Sequence, residues 1–166
     1  MVEVFHTETR EDILAAQRLF REYELWLDMD LCFQGFEDEL AGLPGKYALP
    51  DGRLLLAKLD GELAGCVAMR PLEDGVCEMK RLFVRSGFRG QHIGVTLLER
   101  LIADVRLIGY QKMRLDTFPP KMGKAVELYR SHGFREIAPY YHNPHEGVLF
   151  MELDLLTAQS SAGPNL

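Results

Sequence analysis

The sequence is poor in the residues that mark specialised folds. Among 166 residues there are three cysteines and one tryptophan. Cys32, Cys66 and Cys77 are too few and too scattered for a disulfide framework or a cysteine-based zinc site. Each sits in an apolar stretch, so buried free thiols in a reducing compartment are expected. No uninterrupted apolar run nears the ~20 residues that span a bilayer. Met1-Val2-Glu3-Val4-Phe5-His6 is neither a basic segment nor followed by an apolar one, so no secretory leader is expected. A soluble cytoplasmic protein without a membrane partner is the expectation. Basic charge is also in deficit. Nineteen Lys and Arg against 25 Asp and Glu give a formal charge of −6, which argues against a nucleic-acid partner held by bulk charge. No internal repeat and no low-complexity block is visible.

What is present is ordinary globular composition, 47% apolar and 27% charged, at a length suited to one domain. That domain is expected over residues 1–156, with Ser-Ser-Ala-Gly-Pro marking residues 157–166 as a flexible C-terminal tail.

Residues 2–6 read as a strand. Thr9-Arg10-Glu11-Asp12 reads as a capping box, and Ile13, Ala16, Phe20, Tyr23 and Leu27 follow at helical spacing, to about residue 28. Gly42, Pro44, Gly45 and Pro50 make a loop of the second half of 30–51. Residues 53–59 and 62–70 are strand-like runs joined by Asp60-Gly61, a type I′ hairpin pair. A turn is expected over 71–75 and a strand over 76–84. The period then changes. Residues 92–108 carry Ile93, Leu97, Leu98, Leu101, Ile102 and Val105 at helical spacing, stopped by Gly109. A strand over 112–117, a helix over 121–132 stopped by Gly133, and strands over 134–138 and 147–154 complete the order. The strand–helix–strand unit over 76–117 needs a crossover, so its two strands are expected to be parallel neighbours. The result is a mixed α/β (α+β) sheet with helices on both faces.

The most informative stretch is Val84-Arg85-Ser86-Gly87-Phe88-Arg89-Gly90-Gln91-His92-Ile93-Gly94. A strand ends, a glycine-containing loop follows, and a long helix begins. Such a turn gathers backbone N–H groups at the positive end of a helix dipole, a spot suited to a diphosphate. Arg89 adds a fork of donors. The spacing is neither GxGxxG nor GxxxxGK[ST], so dinucleotide-binding and P-loop readings fail. An ordinary strand-to-helix turn with a basic rim remains the plain alternative.

Arg89-Gly90-Gln91-His92-Ile93-Gly94 resembles the acetyl-CoA signature of the GNAT superfamily of N-acetyltransferases, Arg/Gln-x-x-Gly-x-Gly/Ala. Glu78-Met79-Lys80-Arg81-Leu82-Phe83-Val84 resembles that family's fourth strand. Ala125-Val126-Glu127-Leu128-Tyr129-Arg130-Ser131-His132-Gly133-Phe134 resembles its closing Ala-x-x-Leu-Tyr-x-x-x-Gly-Phe segment. Two positions depart from the pattern: His92 stands at the family's middle glycine, and Met122 at a position that is often Asn.

The resemblance implies a mostly antiparallel sheet of about seven strands whose fourth and fifth strands splay apart around the pantetheine arm of acetyl-CoA. It implies acetyl-CoA as co-substrate, bound by Leu82, Phe83, Val84, Arg89, Gly90, Gln91, His92, Ile93, Gly94 and Val95. The backbone N–H near Leu82 would then face the thioester oxygen. Tyr129 matches the family's general acid; the alternative is a core aromatic. Glu78 matches a general base of some members; the alternative is a rim carboxylate paired with Lys80 or Arg81. The loop 139–147, the first helix and the loop after that helix would wall an acceptor pocket, with Phe33, Gln34, Tyr140, Tyr141, His142 and Asn143 as candidates. No metal is expected, because His142 and His145 lack a third ligand at suitable spacing.

The expected activity is acetyl transfer to a primary amine of a small molecule or amino acid by direct attack in a ternary complex. No cysteine or serine sits in a recognisable nucleophile–base arrangement. A protein N-terminus or lysine as acceptor, and a CoA-binding sensor without catalysis, are the alternatives. Homodimers are frequent in the family, so a homodimer is an expectation by resemblance alone.

Overall fold

The computed structural model describes residues 1–31 and 35–156. Expectations placed on Cys32, Phe33, Gln34 and the tail at 157–166 therefore lie outside the described residues. The elements run β1 (Val2–His6), α1 (Arg10–Leu27), α2 (Phe36–Ala41), β2 (Arg53–Leu59), β3 (Glu62–Glu73), β4 (Val76–Val84), α3 (Ile93–Ile108), β5 (Lys112–Thr117), α4 (Pro119–Ser131), β6 (Arg135–Ile137) and β7 (Leu149–Asp154). Single 3₁₀ turns cover Gly45–Tyr47 and Ser86–Phe88. No helix among the described residues is long and apolar enough to cross a membrane.

Local chemistry accounts for many of the boundaries. Thr9 Oγ1 accepts the Asp12 N–H at 3.1 Å, while Asp12 Oδ2 accepts the N–H groups of Glu8 and Thr9. That reciprocal cap starts α1. Asp60 and Gly61 take φ of 51° and 87°, the mirror-image turn that matches strand twist. The turn expected over 71–75 is smaller: β3 continues to Glu73 and only Asp74 and Gly75 turn. Pro71 is accommodated beside a register shift between Pro71 and Glu73, a kind of site that tolerates a missing N–H. The fourth helix begins at Pro119 rather than residue 121, with a non-helical Met122 inside it, and the last two strands are shorter than expected.

The seven strands lie in the order β1-β2-β3-β4-β5-β7-β6. All pairs are antiparallel except β4 and β5, which are parallel. Two cores fill the two faces. Leu97, Leu98, Leu101 and Val105 of α3 pack with Cys77, Met79, Met113 and Leu115 on one face, and Tyr129 of α4 joins them. Ala16, Leu19, Phe20 and Tyr23 of α1 pack with Leu54, Leu56, Cys66, Ala68 and Phe83 on the other.

Two features of β4 position everything that follows. Its pairing with β5 covers only Val76–Lys112, Cys77–Met113 and Glu78–Arg114. Beyond that point the strands part, and the facing edges of 79–84 and 115–117 form no ladder with each other. Opposite, between Cys66–Phe83 and Ala68–Lys80, β4 inserts one extra residue against β3. Arg81 takes φ of 63° in this bulge. The insertion reverses the alternation. Met79 faces the α3 core before it; Leu82 and Val84 face that core after it, and Phe83 faces α1.

Candidate active site

The opening between β4 and β5 is bordered by charged side chains that a sheet interior does not ordinarily hold. Glu78 is 1% exposed, Arg81 5% and Lys80 7%, and burial on this scale requires partners. Arg70 on β3 donates its Nε to Glu78 Oε1 at 3.0 Å, and the Tyr140 hydroxyl donates to Glu78 Oε2 at 2.6 Å. Glu78 is thus an interior carboxylate paired with Arg70, not a rim carboxylate paired with Lys80 or Arg81. Arg81 reaches α2 instead, donating Nε and Nη2 to Glu39 at 3.0 and 2.8 Å. Its guanidinium also lies over the rings of Tyr23 and Phe36. Burial works against the Glu39 charge, but the hydrogen bond and charge of Arg81 outweigh it and hold the carboxyl below its usual range. Burial lowers the Lys80 ammonium, and neighbouring Arg81 lowers it further.

Across the opening, Asp116 lies on β5 beyond Arg114, the last residue paired with β4, and is paired on its other edge with Phe150 of β7. The Tyr141 hydroxyl donates to Asp116 Oδ2, and Asn143 Nδ2 donates to the Tyr141 oxygen at 3.0 Å. Burial raises the Asp116 carboxyl, while the Lys80 charge pulls it down. Tyr140 and Tyr141 pack edge to face on each other and on Phe150. Asn143 Oδ1 accepts the His145 N–H, and His145 Nε2 lies 2.9 Å from the Asp30 carbonyl oxygen. The loop after β6 is thereby fastened to the segment after α1. A shallow cleft, partly open to solvent, lies between them. Tyr23, Leu27, Met29, Leu31, Arg81, Asp116, Thr117, Phe118, Met122, Asn143 and Val148 line it.

Tyr129 stands on the opposite side of the sheet, 4% exposed and packed against Phe134 at 5.6 Å. Burial raises its phenol strongly, and Tyr23 and Asp116 raise it further.

At the mouth of the gap, α3 begins without a side-chain cap, so the N–H groups of its first turn lack intrahelical partners. His92 is the N-cap at φ 62° and ψ 20°. It adopts the left-handed conformation that a glycine would take at this position, and its side chain is exposed. Gly90 has φ of 83°, with open space where a Cβ would sit. Gln91 is exposed, Ile93 is buried in the core, and Gly94 and Val95 are half-buried. The Arg89 Nε donates to the Val84 carbonyl, and its guanidinium lies 5.1 Å from the Trp26 ring centroid.

The structure brings Glu78, Tyr140, Tyr141 and Asn143 together by hydrogen bonds to the β4 and β5 carboxylates and the acceptor loop, whereas Tyr129 lies in the α3-face core. Asn143 lines the cleft, whereas Tyr140 and Tyr141 contact the carboxylates from behind. His142 is exposed and lines no part of the cleft. Asp116, Arg81 and Tyr23 line the cleft although sequence reasoning did not select them. A signal for Asp116 was available: Arg114 and Asp116 alternate with Met113, Leu115 and Thr117 in a strand expected between two helical layers. Consecutive Lys80 and Arg81 in an apolar strand likewise break alternation, the mark of a bulge. No group of three or more metal-ligating side chains occurs among the described residues.

Residues 8–134 match the model of the acetyltransferase (GNAT) family. An uncharacterized N-acetyltransferase of Schizosaccharomyces pombe is 42% identical over 147 residues, 87% of this chain and 90% of that protein. N-acetylaspartate synthetase of Danio rerio is 36% identical over 101 residues, 60% of this chain and 36% of that protein. A GNAT-family acetyltransferase structure from Staphylococcus aureus Mu50 superposes with TM-score 0.77 at 20% identity, covering 93% of this chain and 99% of that one. The PaiA N-acetyltransferase of Thermoplasma acidophilum, solved with coenzyme A, gives TM-score 0.70 at 18% identity, with coverages of 93% and 99%.

Proposed function

Because the chain belongs to the acetyltransferase (GNAT) family, we propose that it moves the acetyl group of acetyl-CoA directly to the primary amine of a small molecule or amino acid within one ternary complex. The observation that carries this reading is the early end of the β4–β5 ladder at Glu78–Arg114, with uncapped α3 at its mouth and a lined cleft on the α1 face.

The residues present fit acetyl-CoA. The facing edges of 79–84 and 115–117 form no ladder with each other, and the amides of a pantetheine arm can supply hydrogen-bond partners to strand backbone there. The first turn of α3 and Arg89 suit a diphosphate. A Cβ on Gly94 would meet only Val84 Cγ2, at an ordinary 3.8 Å, so the turn is not cramped.

Acetyl-CoA supplies an acetyl group activated as a thioester; the protein's own groups supply the rest. Backbone N–H donors of β4 near Leu82 stabilise negative charge on the acyl oxygen. The acceptor arrives as an ammonium with a pKa of about 10 and must lose a proton. Glu78 receives it, with the Tyr140 hydroxyl as relay. Tyr129 holds a proton for the departing sulfur, and its burial keeps it protonated at neutral pH. The presence of both Tyr129 and Glu78 favours catalysis over a silent CoA-binding module. N-acetylaspartate synthetase, as its name states, makes an acetylated amino acid, which supports an acceptor of that size. The test is thiol release from acetyl-CoA in the presence of amino acids, polyamines, aminoglycosides and short peptides. Release with at least one amine, abolished in Tyr129→Phe, is expected. No release with any of them overturns the reading.

A further inference from the structure

We propose that Lys121 is a second cation, beside Arg89, for the phosphates of acetyl-CoA, and that Trp26 holds both cations at the mouth of the β4–β5 gap until those phosphates arrive; this rests on the function proposed above. The chain has one tryptophan. Trp26 lies on α1, half-buried, with its ring 6.1 Å from that of Phe83, on the part of β4 that has left β5. Arg89 follows β4, and its guanidinium lies 5.1 Å from the Trp26 ring centroid. Lys121 is in the first turn of α4, just after β5, and its Nζ lies 5.8 Å from the same centroid. One indole thus touches the segments that continue both parted strands.

The charges around this mouth are unevenly matched. Arg85 is paired with Glu22, and Arg81 with Glu39. Arg89 and Lys121 are exposed and have no carboxylate partner among the described residues. Their contacts are the Trp26 ring and neutral carbonyls: Arg89 Nε donates to the Val84 carbonyl, and Lys121 Nζ donates to the Trp26 carbonyl at 3.0 Å. In a chain of formal charge −6, two cations on one ring with no acid between them break the pattern.

An indole face attracts a cation only modestly at an exposed site. A neutral carbonyl is a weaker acceptor than a phosphate oxygen, because hydrogen bonds to an ionised partner are about twice as strong as neutral ones. Arg89 and Lys121 therefore leave ring and carbonyl for phosphate, and their mutual repulsion is relieved by an anion between them. Arg89 binds from the α3 side and Lys121 from the α4 side. Lys121 also has a plainer role: α1 has no basic residue in its last turn, and an ammonium on the Trp26 carbonyl suits a helix C-terminus. The two roles differ in what removing the ammonium does to binding.

The experiment reads binding rather than turnover. Acetyl-CoA is titrated by calorimetry into the parent, Lys121→Met and Lys121→Arg, and Trp26 emission is followed with excitation at the red edge, where adenine does not absorb. Lys121→Met is expected to weaken acetyl-CoA about tenfold or more, the worth of one charge-assisted hydrogen bond. Lys121→Arg should recover most of that affinity. A contact to phosphate is screened, so the factor between parent and Lys121→Met should shrink in ~1 M salt. In the parent, Trp26 emission should change with the same midpoint as the heat, and phosphate-free S-acetylpantetheine should leave it constant. An unchanged acetyl-CoA Kd in Lys121→Met, a weakening that salt does not alter, constant emission at saturating acetyl-CoA, or an equal emission change with S-acetylpantetheine overturns the inference and leaves N-acetyl transfer standing. Failure of the parent to bind acetyl-CoA at all overturns both.

Discussion

The Tyr140 hydroxyl donates a 2.6 Å hydrogen bond to Glu78, a carboxylate 62 residues earlier in the chain. Arg70 holds the other oxygen, so Glu78 is gripped from the sheet and from the acceptor loop at once. Glu78→Gln keeps the shape and removes the proton acceptor. A fall in kcat of ~10²–10³-fold is expected, the range for loss of a general base, with the acetyl-CoA Kd from calorimetry unchanged. Glu78→Ala should in addition lose ~1–3 kcal/mol in urea unfolding, because the half-buried Arg70 and Tyr140 would lose this partner.

Tyr129→Phe retains the ring that packs on Phe134. Its unfolding midpoint should move little, while kcat falls by ~10²-fold or more. A turnover equal to the parent's in single-turnover kinetics would remove Tyr129 from the proton path.

The Arg81–Glu39 pair joins the bulge of β4 to α2. Glu39→Ala leaves the Arg81 charge buried and should cost ~3 kcal/mol. The folded-state pKa of Glu39 lies below its ordinary 4.5. Its stabilisation is therefore complete above pH 4.5 and is lost as pH falls through the lower folded value. Acid titration followed by circular dichroism should show a shallower loss of stability below pH 4.5 in Glu39→Ala than in the parent.

Asp116 has the opposite sign. Its folded-state pKa lies above the ordinary 3.8, with burial as the main cause. The protonated form's advantage is present below 3.8 and is lost as pH rises through the higher folded value. Asp116→Asn should consequently raise the unfolding midpoint at pH 7, and the difference from the parent should shrink towards acid pH.

His92 occupies left-handed backbone at the start of α3. A β-branched residue is strained there, so His92→Val should destabilise by ~1–2 kcal/mol. His92→Gly should fold at least as well as the parent in thermal unfolding. The acetyl-CoA Kd of His92→Gly should match the parent's, because the donors at this turn belong to the backbone.

Most of the elements were legible from residue pattern alone; α2 (Phe36–Ala41) was not, because the signals over 30–51 are mixed. The Thr9–Asp12 cap, the Asp60-Gly61 hairpin, the α3 stripe and the glycines after α3 and α4 all act over a few residues, and short-range sterics and periodicity decide them. The parallel pairing of β4 with β5 followed from the crossover between them. The strand order beyond that did not, nor did the extent of β3: Pro71 reads locally as a turn, and only pairing to Cys77 keeps it in the strand.

The site depended on the three-dimensional arrangement. The consecutive charges Lys80 and Arg81 mark a break in alternation, but no local pattern says that the slip turns Phe83 towards α1 and gives Arg81 a partner on α2. Nor does local pattern say which tyrosine meets which carboxylate. Tyr140 and Tyr141 are neighbours in the chain but reach Glu78 on β4 and Asp116 on β5, because the loop crosses the place where those strands have parted. Short-range preferences chose the helices, strands and turns; the pairing of distant charges, settled by burial and sheet register, chose the chemistry.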